Sequence, residues 1–166
     1  MRKSYSLSAA LALSLFIYLF YRTDKTAVNQ LIIYLLSLES YIQLKNMVAS
    51  ALPLDDLIVY SLPGGLWVFC ATALAHGFYF EFRHYKIPIA PIPALFAIGL
   101  EFCQCLHLTH GTFDLWDITF YAIGWLLATR LFYTGMSKHN ILSPLTLHGF
   151  MCLSCIFIVF LAHVSR

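Results

Sequence analysis

Charge is the scarcest commodity in this sequence: 11% of its 166 residues are Asp, Glu, Lys or Arg, against 60% that are hydrophobic, and the mean hydropathy is +0.76. So little polar surface is a poor cover for a water-soluble globule, and a bilayer is the expected solvent. A basic run and a Gly-rich phosphate loop are both missing, and the net charge of +2 is mild, so nucleic acid is not an expected partner. The G-x-S-x-G string, a Ser-Lys pair and a His-x4-Asp arrangement are absent too, which leaves nucleophilic acyl chemistry without support. No inverted repeat suggests a transporter. The five cysteines, Cys70, Cys103, Cys105, Cys152 and Cys155, all lie in apolar stretches, so a disulfide framework is not expected. Cys152-Leu-Ser-Cys155 spells C-x-x-C in an apolar, mid-helix context and reads as two small buried hydrophobes.

What is present is a series of apolar runs near the roughly 20 residues that cross a hydrocarbon core. They predict an all-α membrane bundle of five spans in a single domain, at 7–21, 62–80, 87–106, 115–133 and 141–163. The first follows Met1-Arg2-Lys3 and has no small-x-small cleavage site after it, so a retained anchor is expected rather than a cleaved signal. The long connection 22–61 contains Val28, Leu31, Ile32, Leu35, Leu38 and Ile42 near helical spacing, which predicts one interfacial helix or a short re-entrant segment. Pro53, Pro63 and Gly64-Gly65 are expected to break the chain before the second span, with Trp67 near the headgroups. Pro88, Pro91 and Pro93 predict an irregular approach to the third. Arg2, Lys3, Arg83, Lys86, Arg130 and Lys138 then fall on one side, which predicts a cytoplasmic N-terminus and an outward C-terminus.

The most informative stretch runs from Glu101 to Asp117. Glu101, Gln104 and His107 are spaced by three and share a face on a helix, and Asp114 and Asp117 do so on the next. A short connection makes the two helices antiparallel neighbours, so these side chains, with His110 in the connection, form a candidate ligand site. Ionisable groups at membrane depth are costly, on the order of 2.5–3.5 kcal/mol each on insertion scales, and face a cavity or a partner. The plainer reading makes Asp114 a helix cap, Asp117 a partner of the helix dipole, and Glu101 a bond to Gln104 or a neighbouring helix.

Glu101-x-x-Gln104, a short loop, Phe113-Asp114-x-x-Asp117 and Gly124 resemble the pattern of the VanZ-like family of small multi-span bacterial membrane proteins. The motif covers the third and fourth spans. The family pattern usually has an arginine three residues before the first aspartate and an asparagine four after the second, where this chain has Gly111 and Tyr121. Without that arginine the carboxylates lack their counter-charge, and His107 or His110 is the expected substitute. The resemblance implies a cell-envelope role touching lipid-linked or cell-wall material. One family member is associated with low-level resistance to the glycopeptide teicoplanin, and no reaction is assigned to the family.

Three functional classes follow. The first is a membrane protein that binds an amphiphile between the third and fourth spans, its partners being membrane lipids or lipid-linked cell-wall intermediates. The second is a metal-assisted membrane hydrolase, with Glu101 or Asp117 as general base and His107, His110 and His163 as metal-ligand candidates. The third is a structural subunit whose polar cluster locks helices together. No cofactor is expected: His76 and His148 could meet at one depth as a bis-histidine haem requires, but no second pair repeats. Gly124 and Ala128 form a small-xxx-small face, read as packing within the chain before packing between copies.

Overall fold

The computed structural model describes residues 2–22, 27–109, 111–132, 138–142 and 146–164. Among these the chain is mostly helical, with helices α1 (Arg2–Tyr21), α2 (Ala27–Leu36), α3 (Leu38–Ala51), α4 (Asp56–Ala75), α5 (Ile92–Cys105), α6 (Leu115–Phe132) and α7 (Leu147–Val164). A small sheet adds β1 (Phe78–Phe82), β2 (Tyr85–Pro88) and β3 (His139–Asn140).

Helix α4 is apolar around its whole circumference, and such a helix belongs at the centre of a bundle. It touches α1, α5, α6 and α7, most extensively α6. Three groups of buried side chains surround it: Ala10, Phe69, Cys70, Ala128 and Phe132 toward α1 and α6, Val68, Ala94, Ala97 and Tyr121 toward α5, and Ala75, Phe78, Ile89, Ile141 and Cys152 toward the sheet and α7. All five cysteines are free thiols.

The α4–α6 contact is made by glycine. A Cβ on Gly64 would stand 2.6 Å from the Tyr121 ring, and one on Gly65 would stand 2.8 Å from the Phe120 carbonyl oxygen. A Cβ on Gly124 would run into the Gly65 carbonyl. Small residues allow two helix backbones to approach this closely. This corrects the expected break at Pro63 and Gly64-Gly65: all three lie inside α4, which starts at Asp56 after Asp55 caps it by accepting from the Leu57 N–H at 2.9 Å. Packing outweighs the poor helix propensity of the glycine pair. Trp67 consequently sits in the middle of the helix and not at its edge.

The sheet corrects three more boundaries. The second predicted span runs to residue 80 and the third begins at 87, yet Phe78–Phe82 and Tyr85–Pro88 form an antiparallel hairpin, with Phe80 opposite Ile87. Arg83 takes a left-handed conformation, φ 55°, in its two-residue turn. β3 pairs in parallel with β1, and the Ile141 N–H donates to the Tyr79 carbonyl at 3.0 Å, so α7 begins at Leu147 rather than 141. Pro91 and Pro93 sit at the start of α5, where a missing N–H costs nothing.

The one helix expected within 22–61 is in fact two, α2 and α3. Ser37, at φ 73°, separates α2 from α3. Helix α3 docks on the end of α1 and satisfies carbonyls that a helix terminus leaves open: the Tyr41 hydroxyl donates to Leu19 O at 2.7 Å and Lys45 Nζ to Arg22 O at 2.9 Å.

Contacts give the helix directions. Ser61 lies by Asp117 and Phe69 by Phe132, so α4 and α6 run parallel. Helices α1, α5 and α7 oppose them: Cys70 meets Leu7 while Tyr21 meets Leu52, Glu101 meets Tyr121 while Ala94 packs by Val68, and Cys152 packs by Ala75 while Cys155 meets Trp67. The sheet therefore lies at one end of the bundle, and the end of α5 and the start of α6 lie at the other. Among the described residues one helix, Asp56–Ala75, is long and apolar enough to cross a membrane; Tyr5–Tyr21, Ile92–Cys105 and Leu147–Ile156 are apolar but shorter.

Candidate functional site

At the end away from the sheet, the last turns of α5 meet the first turn of α6. Glu101 is buried, at 3% exposure. Its Oε2 accepts the Asp114 N–H at 3.3 Å, and its Oε1 accepts the Tyr121 hydroxyl at 3.4 Å. Gln104, with its amide nitrogen turned to the acceptors, donates to Glu101 Oε2 at 3.3 Å and to Thr112 O at 3.1 Å. Glu101 thus ties α5 to α6 through two donors, and Gln104 on its own helix supplies a third, so the buried carboxylate is satisfied.

Asp114 precedes α6 and caps it, its Oδ1 accepting the Trp116 N–H at 2.8 Å. Asp117, one turn on, turns toward α4. It faces the Ser61 hydroxyl, the donor placed to bond it, and both Ser61 Oγ and Asp117 Oδ1 are buried. Ser61 itself is 1% exposed. A buried carboxylate is held by facing groups of this kind.

Glu101, Gln104, Asp114 and Asp117 therefore come together, while His107 does not join them. Helix α5 ends at Cys105, and His107 follows in a left-handed conformation, φ 55°, its N–H donating to Gln104 O at 2.9 Å and its side chain exposed. Spacing by three gives a shared face only while the helix continues. His110 and the side chain of His163 lie outside the described residues, and among the described residues no group of three His, Cys, Asp or Glu is arranged to hold a metal.

Gly111 and Tyr121 now acquire physical reasons. Gly111 is at φ 129°, a conformation open to glycine, and a Cβ there would stand 2.8 Å from the Gln104 amide. A side chain there would strain the backbone and displace the Gln104 amide from its bonds. The cation whose field reaches the Asp117 carboxylate is Arg22, just past the end of α1, and its effect is smaller than the repulsion from Asp114. The Arg22 guanidinium lies 5.0 Å from the Tyr18 ring and 5.3 Å from the Tyr60 ring, where cation–π attraction holds it. Tyr121 occupies the space that Gly64 leaves open and brings its hydroxyl to Glu101.

Ser61, Tyr121 and Arg22 are the members of the site that sequence reasoning passed over. Each belongs to a different helix, and a buried serine or a tyrosine in an apolar run carries no local signal. Arg22 marks the end of an apolar run, and its distance in sequence from Asp117 hides the pairing. Gly124 and Ala128 face inward, onto Gly65 and into the buried group around Phe69. No protein-family model matches the chain, and neither a curated protein nor a solved structure matches it.

Proposed function

We propose that the chain is a multi-pass membrane protein of the cell envelope, of VanZ-like type, that receives the polar headgroup of an amphiphile at Ser61, Glu101 and Asp117. The observation that carries this reading is the gathering of Ser61 and Asp117, both with buried oxygens, beside a buried Glu101 at one end of the bundle. A carboxylate in that position favours a cationic or hydroxyl-rich group over an anion. Large apolar side chains left on the outside support a bilayer as surroundings: Leu95, Phe102, Leu127, Leu131 and Phe150 are all exposed on their helices, beyond what a soluble monomer leaves uncovered. Tyr34, at 87% exposure, with Leu35 and Leu38, supports an interfacial position for α2 and the start of α3. Arg83, Lys86 and Lys138 at the sheet end support a cytoplasmic sheet and an outward-facing site.

Native mass spectrometry in mild detergent tests the reading. The intact protein should retain an amphiphile mass that Ser61→Ala and Asp117→Ala lose at equal thermal stability. Equal retention in all three would place the ligand elsewhere. A second reading has its own support: the bonds from Asp114, Tyr121 and Gln104 to Glu101 are those of a helix lock, as in a structural subunit. That reading requires both substitutions to lower the melting temperature with no selective loss of ligand.

A further inference from the structure

The sheet carries an apolar face that extends past the helices on which it rests. Cross-strand partners in an antiparallel ladder stand on the same side of the sheet. Phe80 with Ile87 and Phe82 with Tyr85 therefore share one face, and Glu81 with Lys86 takes the other. Phe78, two residues before Phe80, belongs to the first face, and it is buried with Ile89 against Ala75, Ile141 and Cys152. Exposure then rises along that face, from 8% at Phe78 to 36% at Phe80 and 56% at Phe82, with Ile87 and Tyr85 exposed opposite them. The base of the hairpin thus packs on the bundle, and its tip overhangs it by the length from Phe78 to Phe82, roughly 13 Å at about 3.3 Å per residue.

Resting on the membrane reading, and independent of the acidic cluster, we propose that this overhang is a docking surface for an anionic leaflet. Phe80, Phe82, Tyr85 and Ile87 lie against the headgroup–acyl boundary, and Arg83, Lys86 and Lys138 face the anionic headgroups. A face that packs on helix ends at its base meets the lipid around those helices where it passes beyond them. Depth is set by the backbone. Among the described residues β2 is an edge strand, and an open sheet edge does not enter hydrocarbon, so the hairpin lies along the surface. Charge sets the partner. The described residues of the sheet and its turn carry Arg83, Lys86 and Lys138 against one carboxylate, Glu81. The Arg83 guanidinium lies 5.8 Å from the Phe82 ring and Lys86 Nζ 5.1 Å from the Tyr79 ring, which holds both cations to the hairpin. Each cation beside an anionic surface favours docking roughly fivefold. A second copy of the chain fits less well: β2 has four residues and ends at Pro88, a blunt edge for strand addition, and its cations would meet their own kind.

The test uses the full chain reconstituted in vesicles of equal parts phosphatidylglycerol and phosphatidylcholine brominated on its acyl chains, read by tryptophan fluorescence. Phe82→Trp reports from the apolar face and Glu81→Trp from the opposite one, each as the emission added to that of the wild type. Bromine should quench the Phe82→Trp emission about threefold more, because only that face enters the boundary by about 5–10 Å, and aqueous acrylamide should favour Glu81→Trp. Without phosphatidylglycerol the contrast should fall to about one, and Arg83→Asn with Lys86→Gln should lower it likewise with that lipid present. Asparagine suits the left-handed backbone at position 83. Tyr85→Trp reads the same face if Phe82→Trp does not fold. Equal quenching of the two faces, or a contrast unmoved by both the lipid and the charge substitutions, overturns the inference. Shielding of Phe82→Trp from bromine and acrylamide alike marks a protein cover, a second copy included, and overturns it as well. In all these outcomes a chain that stays with the vesicles through alkaline carbonate leaves the membrane reading standing; a chain that carbonate strips away overturns both.

Discussion

The two ends of the bundle handle charge in opposite ways. At the sheet end Glu81, Arg83, Lys86 and Lys138 stand exposed on short strands and connections. At the other end Glu101 is buried and Asp117 half-buried, held by helix termini, a tyrosine hydroxyl and a distant arginine. Exposed charge costs little and specifies little, because solvent satisfies it in any arrangement. Buried charge is expensive, so every neighbour of Glu101 has to be in the right place. The difference teaches where this fold invests its specificity.

The comparison can be broken most severely at the glycine contact that brings the acidic end together. Gly124→Leu should destabilise the protein by about 3 kcal/mol, because its side chain meets the Gly65 backbone, which cannot rotate away. Thermal unfolding in detergent reads this, and an unchanged midpoint would mean that α4 and α6 do not touch there. Next comes a matched pair of carboxylates. Glu101→Ala leaves the Asp114 N–H and the Tyr121 hydroxyl without their acceptor and should cost about 2 kcal/mol. Glu81→Ala at the opposite end should cost less than about 0.5 kcal/mol, and similar losses for both would erase the contrast. Asp114→Ala removes the cap on α6 and should cost about 1 kcal/mol, with Asp114→Asn much closer to the wild type. The smallest effect is expected at Lys86→Ala, below about 0.5 kcal/mol in the same unfolding measurement.

How much of this was legible in advance depended on whether a feature is local. The helix over 115–133 and the meeting of Glu101, Gln104, Asp114 and Asp117 followed from spacing and a short connection, and α6 is Leu115–Phe132. The hairpin was not legible: Phe78–Phe82 is an aromatic run that continues the apolar pattern of α4, and short apolar runs do not distinguish strand from helix. The glycine pair at 64–65 looked like a break because its purpose lies on α6, more than fifty residues further along the chain. His107 was placed with Glu101 on the assumption that α5 runs one turn further than it does. The histidines offer a counter-charge close in sequence, whereas Arg22, whose field reaches Asp117, follows α1.

The position of Arg22 has a consequence for the order of assembly. Synthesis runs from the N-terminus. Arg22, set against Tyr18 and bonded through its carbonyl by Lys45, is in the chain before any of the buried carboxylates. The acidic corner is therefore the last part of this end of the bundle to be made, and it can close only on helices already present.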